Sequence, residues 1–392
     1  MRPADLRLRV LLVQQAVSRG RQEGAARVTK AIYLMRIFYA SNNSPDAAFQ
    51  SNIWRINLYL PLVSLGHDVV EFDYDLQETF LNVDPSDPQQ RSFIEVNRPK
   101  ISQELIKQIR AAHQHAPVDL FFSYFYDACI LPETLAEIRS LGIKTVNWYC
   151  NGSYQLHLVS EIAPHYDWCL VPEKFRLTDY LALGANPIYS QEAANPLVYK
   201  PHDLPLEYGV TFVGQAYGDR PSYIRYLRNE GIDVQVWGRG WPVLPVSARP
   251  GQGETPPASA EAETVVYGGG VLPDDEMIRM YSRSRINLGF SSCGETHRTD
   301  QRILQVRLRD FEVPMSGGFY MVEYMEELEE FFEIGEEIVC YKDRADLVEK
   351  IKYYLGHDNE REEIRWAGHR RCLRDHTWQK RFEVAFKKMG LG

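Results

Sequence analysis

The chain has no run of 18 apolar residues, so no segment reads as a membrane-spanning helix. It has no excess of positive charge. Its 44 Lys and Arg stand against 53 Asp and Glu, and the net charge of −9 argues against a broad nucleic-acid footprint. It has few cysteines, and none of Cys129, Cys150, Cys169, Cys293, Cys340 and Cys372 forms a CxxC pair. Thiols set singly in apolar surroundings read as reduced, buried and structural, which points to a cytoplasmic chain. No phosphate-loop, HExxH, GxSxG or zinc-ligand spacing occurs, which sets aside NTPases, zinc proteases and serine hydrolases. GRGW (238–241) and GGG (268–270) carry glycine without the G-x-G-x-x-G spacing of a dinucleotide fingerprint.

What is present fits a soluble two-domain protein. A chain of 392 residues exceeds the usual single core, and 44% apolar and 25% charged residues are ordinary proportions. Twenty-three Tyr and seven Trp suit a surface that stacks sugar or base rings, although core packing is the commoner use of aromatics. Residues 1–34 are basic with a short apolar run and no clean cleavage site, so they read as an extension outside a fold that starts at MRIFYA.

Strand-like and helix-like segments alternate throughout, which predicts parallel sheets with crossover helices. The strands expected in the first half are 35–40, 68–74, 119–124, 144–150 and 168–172. Two helices are expected between them, one closing on Gly66 and one running from Pro132 to Gly142, and residues 91–116 read as a helix pair. A Pro-rich break falls at 195–209, after which strands recur at 209–215 and 233–241. The stretch 242–266, dense in Pro, Gly, Ala and Glu, reads as a surface insertion. The domains are placed at 35–205 and 206–376, with 377–392 as a closing helix.

Several residues carry candidate chemistry. GVTFVGQAYGDR (209–220) is a strand, a Gly-containing loop and an Arg, a pattern that sets amides and a cation on a phosphate. In RLRDFEVPMSGGFY (307–320), Arg309 and Glu312 lie three apart on one helix face. An Arg fork holds phosphate there and a Glu accepts ribose hydroxyls. Pro314 and the pair Gly317–Gly318 stop that helix. Asp73-Tyr74-Asp75 spells DxD, but two carboxylates without further ligands are a weak metal signal, and a polar strand end is the simpler explanation. Asp127 and His157 follow predicted strands on the ligand side of an α/β sheet and are candidates for a general base. A surface histidine remains the plainer reading of His157.

The block Phe212-Val213-Gly214, with Tyr217 and Arg220, and the block from Arg307 to Glu337 resemble the CgeB-like (spore-maturation-protein) glycosyltransferases. The resemblance covers roughly 35–390 and is strongest from 209 onward. It implies a GT-B fold, two Rossmann-like domains with parallel sheets facing an interdomain cleft, and a last helix that crosses back to the first domain. By the same match, Gly214, Tyr217, Arg220, Gly238, Arg309, Glu312, Gly317 and Gly318 bind a nucleotide-diphosphate sugar. Arg220 and Arg309 then stabilise the leaving group. No metal or cofactor is expected beyond the donor substrate. The chain departs from the pattern at two places: the first Glu of the paired-Glu motif is Leu304, and the acidic residue common near position 151 is Asn151. The acceptor is expected to be a glycan, glycoconjugate or protein. A DNA-modifying transferase and a non-catalytic surface protein of the same fold stand as alternatives. Sugar, base, stereochemistry and oligomeric state are not encoded legibly.

Overall fold

The computed structural model describes residues 34–42, 51–241, 268–293 and 302–392. The expected extension, all but its last residue, and the expected insertion, all of it, lie outside those residues.

The first half builds one six-stranded sheet from β1 (Arg36–Ala40), β2 (Asp68–Glu71), β3 (Leu120–Ser123), β4 (Lys144–Trp148), β5 (Trp168–Val171) and β6 (Pro187–Tyr189). The order is β2-β1-β3-β4-β5-β6, and every pair is parallel. Parallel strands need crossovers, and the crossovers cover both faces. The central strands are accordingly apolar without alternation, and β3 (LFFS) is buried at all four residues. β6 escaped the sequence reading because it is three residues long and opens with proline. An edge strand tolerates that, since no ladder hydrogen bond is lost at its first residue.

The second half repeats the plan with β7 (Tyr208–Val213), β8 (Val234–Trp237), β9 (Gly268–Gly269), β10 (Ser284–Gly289), β13 (Tyr320–Glu323) and β14 (Val339–Tyr341). Its order is β14-β13-β10-β7-β8-β9, again parallel. A two-stranded antiparallel ribbon, β11 (Ser292–Cys293) with β12 (Ile303–Leu304), stands beside it. The GGG stretch supplies the edge strand β9.

Four helices matter below: α1 (Pro88–His115), α2 (Arg220–Asn229), α3 (Leu308–Met315) and α4 (Trp378–Lys388). The expected helix pair at 91–116 is instead the single helix α1. Asp87 caps it, its Oδ1 accepting the amides of Gln89 at 2.8 Å and Gln90 at 3.1 Å. Pro99 sits inside and removes one backbone bond. Burial of Ile94, Ile101, Leu105 and Ile109 along one side holds the two halves of the helix in line. Helix α3 ends one residue after Pro314, as a proline near its end requires.

α4 belongs to the C-terminal end of the sequence and to the N-terminal core. Trp378, Phe382, Ala385 and Phe386 are buried in the cluster formed by the first sheet. The Trp378 ring lies 5.3 Å from Trp148, edge-on, and Phe382 meets Phe122 at 5.6 Å. A β-bridge between Ala194 and Thr377 sits at its start. Truncating a fully buried Trp costs about 3–5 kcal/mol. Trp378→Ala is therefore expected to lower the urea midpoint by that equivalent, and a loss under about 1 kcal/mol would contradict the role given to α4.

Candidate functional site

The site grows from the loops at the carboxyl ends of β7 and β8. Gly214 follows β7, and a Cβ there would stand 2.6 Å from the Phe212 ring. Gly238 follows β8 at φ +139, and its missing Cβ would sit 2.2 Å from the Gly214 carbonyl oxygen. The two loops touch only because both residues are glycine. Trp241 Nε1 fastens them by donating to the Gly214 carbonyl at 2.7 Å.

Arg220 opens α2 and turns back under the first loop, where it is only 6% exposed. Its guanidinium stacks on Tyr217 at 3.9 Å and lies within 6 Å of the Phe212 and Phe290 rings. Nη1 donates to the Gln215 carbonyl at 3.1 Å and Nη2 to the Tyr217 hydroxyl at 2.8 Å, while Nε makes no hydrogen bond. Burial lowers its pKa to about 10; the Tyr217 phenol opposes that shift, and the charges of Arg307 and Arg309 add to it. Arg220 therefore lies within electrostatic reach of both Arg307 and Arg309. Arg307 Nη2 donates to the Ser292 carbonyl at 2.6 Å and its Nε is unpartnered. Arg309 Nη1 donates to the Tyr281 hydroxyl and to Met277 Sδ. The side-chain hydrogen bonds of the trio thus go to carbonyls, phenols and a thioether, groups that do not neutralise charge.

Glu312 lies one turn beyond Arg309 on α3 and is 2% exposed. Its Oε1 has no hydrogen-bond partner. Burial raises its pKa, opposed by Arg309 and the Tyr199 hydroxyl, and the Asp274 and Asp310 charges add to the rise. Asp310 on the same helix is occupied, taking the Tyr320 hydroxyl at 2.7 Å and the Arg307 amide at 2.8 Å. Gly317, at φ +68, and Gly318 close α3: the Gly318 amide donates to the Val313 carbonyl at 2.9 Å. A Cβ on Gly317 would meet Pro201 at 2.9 Å, so close packing accounts for that glycine.

Among the candidate bases, Asp127 has both oxygens engaged, by the amides of Glu161 at 3.2 Å and Ile162 at 3.1 Å. Its carboxyl is pushed up to about 6 by burial, and the charges acting on it are Glu161 and Arg98, not the arginine trio. His157 is exposed on the turn Leu156–Leu158. Asp73 and Asp75 are exposed, and Asp75 Oδ1 accepts the Gln77 amide in a local turn.

The sequence reading passed over four residues here: Arg307 of the trio itself, Tyr154 and Glu192, on which Arg307 acts, and Glu173 beside Glu192. Arg307 opens α3. Tyr154, in the loop after β4, feels the charges of Tyr217 and Arg307 across the cleft. Glu173 and Glu192 follow β5 and β6 and line a small cavity with Cys150, Gln191, Gln305 and Glu327. Burial pushes Glu173 up to about 7, opposed by the amides of Ser153 and Gly152 and by Arg176. Burial also raises Glu192 well above the carboxylate range, reinforced by Glu173 and Glu312 and opposed by Arg307. The rule that singled out Asp127, an acid just past a strand's carboxyl end, applies equally to Glu173. A larger depression of about 400 Å³ lies around Arg139, Lys144 and Asp167, by the start of β4 and so away from this face.

Residues 220–386 match a family described as glycosyl transferase-like. The stretch contains all three arginines and Glu312. The chain has the two-domain GT-B fold. Sucrose-phosphate synthase from Thermosynechococcus elongatus is 14% identical with a TM-score of 0.57, covering 91% of this chain and 99% of that one. Anabaena HepE in complex with UDP-glucose is 11% identical with a TM-score of 0.54, covering 91% and 99%. An α-glucosyltransferase in complex with UDP and a 13-mer DNA is 11% identical with a TM-score of 0.57, covering 91% and 100%. At such identities the likeness establishes the fold. No curated protein sequence matches the chain. Among the described residues no helix is long and apolar enough to cross a membrane.

The raised Glu173 gives the chain a pH signature. A folded-state pKa of about 7 against an ordinary 4.5 means that its stabilising contribution is full below the unfolded value and is lost as pH rises through the folded one. Glu173→Gln removes that loss. Urea unfolding at roughly pH 5 and pH 8 should show the variant gaining about 3 kcal/mol on the wild type between the two. Parallel stability curves would contradict the shift.

Proposed function

We propose that the chain moves a sugar from a nucleoside-diphosphate sugar to a hydroxyl-bearing acceptor, without a divalent ion and with no cofactor beyond its donor. The observation that carries this is the arginine trio: Arg220 within electrostatic reach of Arg307 and Arg309, two of the three with an unpartnered buried Nε, and none with a side-chain hydrogen bond to a carboxylate among the described residues. A diphosphate supplies the missing counter-charge. Guanidinium forks grip phosphate oxygens in pairs. As the glycosidic bond breaks, negative charge builds on the leaving diphosphate, and fixed cations then bind the transition state more tightly than the ground state. The spare oxygen of Glu312 suits a ribose hydroxyl. The 214–217 and 238–241 loops close over the base side.

The resemblance of the 212–220 and 307–337 blocks supports a place among the CgeB-like transferases. Domains at 35–205 and 206–376 put the donor on the second and the acceptor on the first. In that first domain Trp54, Phe80, Tyr124 and Tyr126 form an aromatic group, with Trp54 and Tyr124 rings 4.7 Å apart and Phe80 and Tyr126 5.3 Å apart. Tyr124 and Tyr126 are buried in the domain's core, so this group packs the fold, and the resemblance is what favours a glycan or glycoconjugate acceptor. A DNA acceptor has one observation behind it, the solved α-glucosyltransferase complex with DNA, and the net charge of −9 speaks against it. Six buried, unbridged cysteines fit a cytoplasmic setting.

UDP is the first nucleotide to test, because two of the similar structures carry it. Glu312→Ala is expected to lose about 1.5–3 kcal/mol of UDP affinity by calorimetry, the worth of a charge-assisted hydrogen bond. Unchanged affinity would remove Glu312 from the ribose site. Transfer, or slow release of UDP from its sugar, should keep its rate in excess chelator. Loss on chelation with recovery on Mn²⁺ would overturn metal independence and return Asp73 and Asp75 to consideration.

A further inference from the structure

Resting on the transferase reading above, the inference concerns a second buried carboxyl, which lies beside Glu192, the carboxyl on which Arg307 acts. Glu173 is 4% exposed. Its Oε1 accepts the Ser153 amide at 3.3 Å, and its Oε2 makes no hydrogen bond. Gly152 leaves room for it: a Cβ on that residue would stand 3.1 Å from Oε2. The carboxyl lines a cavity of about 10 Å³ with Cys150, Glu192, Gln305 and Glu327, the room of a single water or hydroxyl. Gln305 comes from the donor domain and meets the Ser153 hydroxyl directly. Two residues past Gln305 is Arg307, which feels Tyr154 and acts on Glu192. The cavity is thus a hydroxyl-sized space with a free carboxylate oxygen on one wall and the diphosphate-binding cations just behind the other.

We propose that Glu173 is the proton acceptor of the transfer. Its Oε2 takes the proton of the acceptor hydroxyl as that oxygen bonds to the anomeric carbon. The bond from the anomeric carbon to the phosphate oxygen breaks, and its electron pair leaves with the diphosphate held by Arg220, Arg307 and Arg309. The proton passes from Glu173 to solvent when the product departs. Ser153 and Gly152 are positioning residues, one fixing Oε1 and the other leaving space for Oε2. The groups that face Glu173 are Arg176, Glu192, Cys150, Tyr149, Tyr180 and Cys293. Of these Arg176 is the cation. A carboxyl held at about 7 is well matched to accept a proton at neutral pH.

The test uses the full chain, with UDP-glucose, UDP-galactose and UDP-N-acetylglucosamine as donors and water as acceptor, and reads UDP release. Glu173→Gln should bind UDP like the wild type by calorimetry, release it about 10²- to 10⁴-fold more slowly, and lose the rising limb of the pH profile near neutrality. Formate should restore part of the rate in Glu173→Ala, which a merely structural role would not allow. Gly152→Ala, which crowds Oε2 without removing it, should slow release while UDP binding holds, and it serves if the Glu173 variants fold poorly. Turnover within about threefold of wild type with an unchanged pH limb in Glu173→Gln overturns the proposal. So does a wild-type chain that binds UDP yet releases it from none of the three donors. A wild-type chain that binds no nucleotide overturns the transferase reading itself.

Discussion

Three arginines near one another, with no side-chain hydrogen bond to a carboxylate among the described residues, impose the strongest constraint on this molecule. Burying one cation without a partner is costly, and placing others within reach raises the cost. The fold tolerates it by laying Arg220 against aromatic rings, which supply quadrupole attraction, and by giving each group neutral acceptors. Buried cations that keep unspent donors suit an anion, and the proposed diphosphate site rests on that. In that proposal the glycine loops, α3 and the unpartnered oxygen of Glu312 line the same site.

A cleft enzyme must also hold its two halves in register, and this chain does so with its own tail. Helix α4 carries Trp378 and Phe382 out of the second half and seats them in the core of the first. At the cleft, Ser153 meets Gln305, Lys174 pairs with Glu330, and the Tyr189 hydroxyl donates to Glu327 at 2.6 Å. The Lys174 pair is half exposed and contributes little. The apolar return of α4 therefore ties the halves together more firmly than the polar contacts across the cleft.

Much of this architecture was legible in the sequence because parallel strands covered on both faces read as short apolar runs. Of the strands among the described residues, β1 to β5, β7 and β8 overlap segments anticipated from that pattern, and β13 lies in the 307–337 block. The exceptions have physical reasons. β6 and β9 are edge strands of two or three residues, one opening with Pro187 and the other made of glycine, and β11, β12 and β14 are equally short. Pro99 suggested a break that side-chain burial overrode. At the site, Arg220, Arg309 and Glu312 were visible because they sit in local blocks. Arg307, Tyr154 and Glu192 were not, because each gains its meaning from a partner more than a hundred residues away, while Glu173 satisfied the positional rule and was passed over. Asp127 satisfied the positional rule but spends both oxygens on backbone amides, which no sequence pattern announces.

The central claim is that the trio of arginines is an anion site for a nucleoside diphosphate. Calorimetry comparing UDP, UMP and uridine on the full chain at low salt tests it most directly. The account predicts affinity falling in that order, with UDP at least about 100-fold tighter than uridine, since each phosphate adds charge-assisted bonds. Equal binding of UDP and uridine, or binding of neither, would contradict it.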